Sequence, residues 1–168
     1  GILLAILLDQ KIRAEGFLRT VYLYPMALSF IVTGTAWRWM LNPSLGIEKF
    51  AQDLGFVNFT FDWLVTPGMS IYTIVIAGVW QSSGFIMAIF LAGLRSVDDE
   101  IIKAAKIDGA SLVSVYTKII LPMMRPVFMS AIVILVHLAI KSYDLVIALT
   151  AGGPGISSDM PAVFMTQM

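Results

Sequence analysis

The sequence predicts an all-α, polytopic transmembrane helical bundle with a charged cytoplasmic helical loop. Hydrophobic residues make up 58% of the 168 residues and charged residues only 13%, whereas about a quarter of the residues of soluble domains are charged. Three apolar runs approach or exceed the roughly 20 residues that a membrane-spanning helix needs. The connections between these runs alternate between cation-rich and cation-poor, as membrane topology requires.

The predicted spans are residues 20–41, 70–94 and 127–149, and partial spans open and close the chain at 1–8 and 160–168. Because the chain begins inside one apolar run and stops inside another, we interpret residues 1–168 as a fragment of a single transmembrane domain. A very apolar soluble helical core is the alternative, but its helices would show a polar face at a period of 3.6 residues. The predicted spans largely lack such a face.

Cationic residues orient these spans. The connection at 42–69 has Lys49 as its only cation, so the positive-inside rule places it outside and places the first connection and residues 95–125 in the cytoplasm. Aromatic residues near the predicted outer boundary resemble an interfacial belt: Trp37, Trp39, Trp63 and Tyr72. The cytoplasmic cations are Lys11, Arg13, Arg19, Arg95, Lys103, Lys106, Lys118 and Arg125.

Composition argues against several classes of function. The chain has one histidine, His137, and no cysteine, which removes thiolate zinc sites, cysteine nucleophiles and disulfide frameworks. Its net charge of +0 gives no bulk attraction for nucleic acid, whereas its apolar surface requires a lipid bilayer. We predict no catalytic residue, no metal site and no cofactor on this chain. An intramembrane enzyme and a passive channel or scaffold protein are the alternatives to a transporter.

The charged segment 95–125 interrupts the apolar chain. Acidic residues at 98–100 favour a helix start, Gly109 predicts a bend and Pro122 predicts the helix end. Physical arguments alone leave two roles equally open, a rigid hairpin for a soluble cytoplasmic partner or a helix lying among lipid headgroups. Counted as one helix, the segment has an apolar stripe made of Ile101, Ala105, Leu112, Tyr116 and Ile119.

A motif in this segment, "KAAKIDGA" at 103–110 followed by "IILP" at 119–122, strongly resembles the EAA loop of binding-protein-dependent ABC transporter permeases. One departure is that Lys103 stands where the family has the glutamate that names the loop. Other stretches resemble the carbohydrate-importing, maltose-type branch, and the resemblance covers nearly the whole chain: "RTVYLYPMALS" at 19–29, "WRWMLNPSLG" at 37–46, "GFIMAIFLAGLRSV" at 84–97 and "SYDLVIALTAGGPG" at 142–155.

The resemblance implies a multi-pass permease subunit of a sugar importer in the cell inner membrane, forming half of the solute pathway. It implies a homologous second permease chain, an extracytoplasmic solute-binding protein and two cytoplasmic ATPase subunits. ATP and Mg are expected on those ATPases, since this sequence has no phosphate-binding loop motif. "SYDLVIALTAGGPG" with "DMPAVFM" at 159–165 looks most like permeases for glucose, related aldoses or glucosides.

In this family the EAA loop forms a coupling helix that docks on the ATPase. Small residues at these positions are also compatible with ordinary helix packing. The positions that carry the resemblance are Lys103, Ala104, Ala105, Asp108, Gly109, Ala110, Ile119, Leu121 and Pro122.

Polar residues within the spans are candidates for the solute pathway, because they are costly in hydrocarbon and usually face a pathway or another helix. Aromatic rings and amide, hydroxyl or carboxylate groups suit a sugar, although such residues also join helices. The spacing of His137, Lys141 and Asp144 permits a helical ladder of side chains. The pathway candidates are Trp80, Gln81, Ser82, Ser83, Tyr143 and Asp144.

A glycine-rich loop follows the last complete predicted span. As in the family, it would lie near the docked binding protein or the outer gate, and a tight connection between spans is the alternative. Its residues are Gly152, Gly153, Pro154 and Gly155.

Overall fold

The computed structural model describes residues 1–10, 13–56, 58–66, 68–151, 153, 163 and 165. These residues form helices joined by turns and contain no strand, which confirms the all-α prediction. The chain divides into two compact units. The first consists of Gly1–Tyr24 and Ser83–Val136, and the second of Pro25–Ser82 and His137–Met168.

One described helix, Ser70–Arg95, is by itself long and apolar enough to cross a bilayer. It contains the whole of the predicted span 70–94. A π-helical turn at Tyr116–Ile120 separates the helix Leu112–Val115 from the helix Leu121–Met123. The described helices are α1 (Ile2–Asp9), α2 (Glu15–Ala27), α3 (Phe30–Met40), α4 (Ile47–Asp53), α5 (Ser70–Arg95), α6 (Asp99–Ile107), α7 (Leu112–Val115), α8 (Leu121–Met123), α9 (Arg125–Ile140) and α10 (Tyr143–Thr150).

The predicted span 20–41 is not a single helix. It is divided between α2 and α3, where Ser29 Oγ accepts a hydrogen bond of 3.2 Å from the amide of Val32 and begins α3. A serine side chain that caps a new helix competes with continuation of the old one. Pro25 lies in the last turn of α2.

The predicted span 127–149 is also divided, at Lys141 and Ser142 between α9 and α10. Two bent pairs are long and apolar enough to cross a bilayer if each is counted as one span: α2 with α3, and Leu112–Met123 with α9, the latter bent by 67°. Which segments cross the membrane stays a prediction. Within the partial span 160–168, only Val163 and Met165 are among the described residues.

The core of the first unit forms around the second half of α5. Met87 and Phe90 are buried there together with Ala5 of α1, and the Phe90 ring meets that of Phe128 edge-on at 4.7 Å. Gly84 lies so close to the carbonyl group of Tyr22 that a Cβ atom would overlap it. Glycine therefore permits the close approach of α5 to α2.

The core of the second unit is formed mainly by α10 and the first half of α5, and α3 packs against it. A Cβ atom on Gly34 would lie 2.6 Å from that of Ala148, so α3 and α10 also approach closely because a glycine lies at the crossing. Leu145 and Leu149 of α10 are buried beside Ile74 of α5. This unit contains most of the candidate pathway residues, whereas the first contains the charged segment.

Candidate functional site

The segment 95–125 folds as a helical hairpin with its bend at Gly109. On one side of the bend, α6 begins at Asp98, whose side chain accepts a hydrogen bond of 2.9 Å from the amide of Glu100. On the other side, Ser111 Oγ accepts one of 3.3 Å from the amide of Ser114. Gly109 has a φ of +79°, a conformation that residues with a Cβ atom rarely adopt. The backbone thus specifies the bend at that position.

Pro122 does not end the second arm of the hairpin, contrary to the prediction. Helix α8 follows the π-helical turn directly, and the arm breaks at Met124. Pro122 lies in the first turn of α8, directly after the π-helical turn. Helical backbone therefore runs without interruption from Leu112, just after the bend at Gly109, to the break at Met124.

One face of the hairpin is buried. The predicted apolar stripe is wrong at Ile101 and Leu112, which are 38% and 58% exposed. Neighbouring residues take the inward positions instead. The hairpin residues buried in the core or packed against it are Val97, Ile102, Ala105, Ala110, Val115, Tyr116, Ile119, Ile120 and Met124.

The hairpin tip exposes apolar side chains. Ile107 is 86% exposed and Val113 is 72% exposed, and both flank the bend. Neither residue was among the candidates named from the sequence, although both lie close to "DGA" in the segment that carries the motif. An exposed apolar group surrounded by polar residues is typical of a protein contact. Exposed motif residues of the same hairpin are Lys103, Ala104, Asp108, Gly109 and Pro122, while Leu121 is half-buried.

Two side-chain contacts join the hairpin to the start of the chain. The hydroxyl of Tyr116 donates a hydrogen bond of 2.9 Å to Asp9 Oδ2. Burial, together with the hydrogen bond and negative charge of Asp9, raises the pKa of Tyr116 to about 12. At the base, Arg95 Nη2 lies 2.7 Å from Glu15 Oε1. The second arm and the base of the hairpin are thus tied to the N-terminal segment, which sequence spacing did not reveal.

The polar residues of "WQSSG" mainly contact protein groups. Gln81, 6% exposed, donates from Nε2 to the carbonyl of Leu28 at 2.8 Å, at the break between α2 and α3. Ser82 donates to the carbonyl of Gly78 at 2.7 Å, within its own helix. Among the described residues, the buried Gln81 Oε1 has no hydrogen-bond partner. The side-chain NH₂ group of Gln81 therefore stabilises the break between α2 and α3.

Other predicted pathway residues are distributed over both units. Trp80 belongs to the second unit, where its ring lies edge-on to Trp37 at 5.9 Å, whereas Ser83 begins a segment of the first unit. Tyr143 and Asp144 lie exposed at the start of α10 in the second unit. Trp37 was not among the pathway candidates, since its position suggested only an interfacial residue.

The predicted side-chain ladder is not formed. No ion pair joins Lys141 and Asp144 in the part of the chain that the structure describes, because α9 ends at Ile140 and the helical spacing is interrupted before α10. In the predicted glycine-rich loop, the structure describes Gly153. This residue is half-buried, and its amide donates a hydrogen bond of 3.1 Å to the carbonyl of Thr150. Gly152, Pro154 and Gly155 lie outside the described residues.

Comparison with known proteins gives the same assignment as the motif. All of residues 1–168 match the family described as "Binding-protein-dependent transport system inner membrane component". A probable ABC transporter permease protein of Pyrococcus horikoshii is 43% identical over 166 residues, covering 98% of this chain and 57% of the relative. The xylose/arabinose import permease protein XacH of Haloferax volcanii is 40% identical over 169 residues, covering 99% and 53%.

A third relative is the trehalose/maltose transport system permease protein MalF of Thermococcus litoralis, 34% identical over 155 residues, covering 92% of this chain and 52% of the relative. The chain thus spans about half the length of these curated relatives. A crystal structure of a bacterial alginate ABC transporter, in complex with an alginate pentasaccharide-bound periplasmic protein, shares the fold. Its TM-score is 0.84 at 21% identity, covering 99% of this chain and 58% of the other.

The family match extends over the whole chain, and the relatives are described as transport permeases, not as enzymes. The resemblance seen in the "KAAKIDGA" motif is therefore confirmed at the level of the family. This chain belongs to the family of binding-protein-dependent transport system inner membrane components.

Proposed function

We propose that the chain is part of a permease subunit of an ATP-binding-cassette importer and couples to a separate cytoplasmic ATPase through the hairpin 95–125. The observation that carries this proposal is the hairpin itself, which has a buried face, a capped bend and an exposed apolar tip at Ile107 and Val113. Such a tip can insert into a groove of a soluble protein. The family and the relatives described as ABC transporter permeases support the same role.

Coupling requires that a displacement of the tip moves the rest of the permease. Continuous helical backbone runs from Leu112 to Met123, and Tyr116 links this arm to Asp9. A push on the tip is thereby passed to α1 and to the core of the first unit instead of being absorbed by a loose loop. The proposed partners are two ATPase subunits that bind ATP and Mg, a second permease subunit and an extracytoplasmic solute-binding protein.

Lys103 gives the proposed ATPase contact an unusual charge, because the family has a glutamate at this position. The lysine is exposed on α6, so its ammonium group is available to a partner. Ala104, Asp108 and Gly109 are exposed on the same hairpin and would let the partner approach the backbone. We expect the ATPase surface opposite Lys103 to be neutral or acidic, since a cation there would repel it.

A sugar is the proposed solute class. Relatives named for import of xylose and arabinose or of trehalose and maltose support it. Trp80 and Tyr143 offer aromatic faces that are partly exposed, and the exposed carboxylate of Asp144 is an acceptor for sugar hydroxyls. Selection of glucose stays a prediction from the "SYDLVIALTAGGPG" segment.

The deciding experiment is ATP-dependent uptake of labelled sugars into proteoliposomes that contain the full-length complex. We expect Ile107→Asp to lower both uptake and co-purification of the ATPase at least about tenfold, which corresponds to about 1.4 kcal/mol of binding. Ile107→Val, which keeps the apolar surface, is the matched control and should retain both. Because Ile107 is 86% exposed, neither change disturbs the core.

Full uptake and normal co-purification in Ile107→Asp would refute coupling through the hairpin. Should that variant fail to accumulate in the membrane, Val113→Asp tests the same surface from the other side of the bend. ATP-driven transport of a non-carbohydrate solute, with no uptake of glucose, xylose or maltose, would refute the sugar class and leave the coupling role intact.

A further inference from the structure

A short amphipathic helix, α4, turns its apolar face outward. Phe50 lies three residues after Ile47, and Leu54, which caps the C-terminal end of the helix, lies four residues after Phe50. The three side chains therefore share one side of the helix. These side chains are 39%, 67% and 63% exposed. Such large apolar side chains are normally covered when they are grouped on one face.

Hydrogen bonds hold α4 in this orientation. Glu48 Oε2 accepts from the amide of Phe61 at 2.9 Å, and Gln52 Nε2 donates to the carbonyl of Phe59 at 3.2 Å and to Glu48 Oε1 at 3.2 Å. The polar side of the helix is thus attached to the segment at 59–61. Rotating α4 to bury Phe50 would break these bonds, so the outward apolar face belongs to the folded state.

The apolar face borders an open cleft of about 380 Å³. Leu45 at its edge is 83% exposed and Trp39 is 71% exposed. Gly46 lies against the carbonyl group of Met40, where a Cβ atom would overlap, so a glycine allows the chain to turn back and form the cleft. The lining residues are Trp39, Met40, Leu45, Gly46, Ile47 and Phe50.

This surface continues the exposed apolar side of α3. Ile31 and Val32 are 58% and 53% exposed on that helix, and Trp39 and Leu45 carry the apolar surface on towards α4. Lys49, the one cation of the predicted connection 42–69, is paired with Asp53 at 3.1 Å. The surface therefore combines a wide apolar area with a polar side whose cation is paired, an amphipathic arrangement that suits the interface of a bilayer in an inner membrane component.

We propose that α4 lies in the membrane–water interface and that phospholipid acyl chains cover its apolar face and enter the cleft. In this position Ile47, Phe50 and Leu54 are in the hydrocarbon boundary, while Lys49 and Asp53 remain among headgroups and water. Trp39, at the end of α3, is placed as an interfacial tryptophan. The proposal rests on family membership and is independent of ATPase coupling.

Site-directed spin labelling tests this proposal. The 168 residues contain no cysteine, so Phe50→Cys and Lys49→Cys each introduce a single labelling site into this part of the full-length permease. Both positions are exposed in the structure, so burial within this part of the chain does not distinguish them. In liposomes we expect the label at Phe50 to collide with dissolved oxygen, to be shielded from a water-soluble nickel chelate and to lie roughly 5–10 Å deep. The label at Lys49 should show the opposite preference.

Equal access of the nickel chelate to both labels would overturn the proposal, because the apolar face would then be in water. Shielding at Phe50 that develops only on addition of the purified solute-binding protein would also overturn it, in favour of a protein contact. If the cysteine variants fail to insert, quenching of tryptophan fluorescence by brominated lipids decides instead. The proposal requires that Trp39→Phe removes a large part of that quenching, and unchanged quenching would contradict it.

Discussion

Tyr116 and Asp9 lie 107 positions apart in the chain and are joined by a hydrogen bond of 2.9 Å. Tyr116 begins the π-helical turn of the hairpin, and Asp9 is the last residue of α1. The bond therefore attaches the second arm of the hairpin to the first helix. It also stabilises the protonated phenol, since the phenol is the donor.

Tyr116→Phe should change how stability depends on pH. In the folded protein the pKa of Tyr116 is raised to about 12, against roughly 10 in an unfolded chain. Between roughly pH 10 and 12, the folded protein therefore retains a phenolic proton that the unfolded chain loses. The stabilisation from Tyr116 is complete below about pH 10 and decreases as the pH rises towards 12.

Thermal unfolding of the purified permease between pH 9 and about 12 measures this effect. Wild type should lose stability more steeply with increasing pH than Tyr116→Phe, whose side chain has no proton to lose. Parallel curves for the two proteins would show that the environment of Tyr116 does not favour the protonated phenol. Difference absorbance of the tyrosinate form, compared between the same two proteins, assigns the titration to this residue.

Gly84→Ala should destabilise the permease, whereas Gly16→Ala should not. A Cβ atom at Gly84 would overlap the carbonyl group of Tyr22, but one at Gly16 meets nothing within 4 Å. Forcing the helices apart costs about 1–3 kcal/mol, while alanine in an open helical position is favourable by up to about 1 kcal/mol. Thermal unfolding of both variants measures the difference. Equal stability would show that α2 and α5 separate without cost.

Gln81→Met should destabilise the permease more than Ser82→Ala. The methionine leaves the carbonyl of Leu28 without the amide donor at 2.8 Å, and an unpaired buried carbonyl costs about 1–3 kcal/mol. The hydroxyl of Ser82 adds a bond only within its own helix, so its loss should cost less. Denaturation temperatures of the two variants provide the comparison. If they coincide, another donor satisfies Leu28 and the break does not depend on Gln81.

Substitutions of Gly109 should rank by their tolerance of a left-handed backbone. The residue has a φ of +79°, and a Cβ atom there would meet nothing within 4 Å, so backbone strain is the only cost. Alanine should cost about 1–2 kcal/mol, and asparagine less, because it enters the left-handed region more readily. Limited proteolysis within the hairpin should follow the order alanine, asparagine, glycine from most to least susceptible. An alanine variant as resistant as wild type would contradict the strain argument.

Some features of this protein follow from the sequence by itself. The apolar run at 70–94 predicts α5 almost to the residue, because a long apolar helix satisfies its backbone locally and needs few specific partners. The spacing of the alanines, Gly109, Leu121 and Pro122 was enough to indicate the family. The bend at Gly109 was also predictable, since glycine is the residue that takes a positive φ without strain.

Tertiary contacts decided where the apolar segments break. Ser29 caps the helix after the break, but the break at Leu28 is accommodated because Gln81, 53 positions away, supplies a donor to its carbonyl. Hydrophobic periodicity does not report such a distant hydrogen bond. For the same reason the sequence did not predict the link between Tyr116 and Asp9.

The inward and outward faces of the hairpin were likewise set by the folded structure. In the folded hairpin Ile102 and Val115 pack in the core, while Ile107 and Val113 form the tip. The phase after a bend depends on backbone angles and on the core against which the arms pack. Local sequence determined which segments are helical and apolar, and packing between distant segments decided which side chains they present.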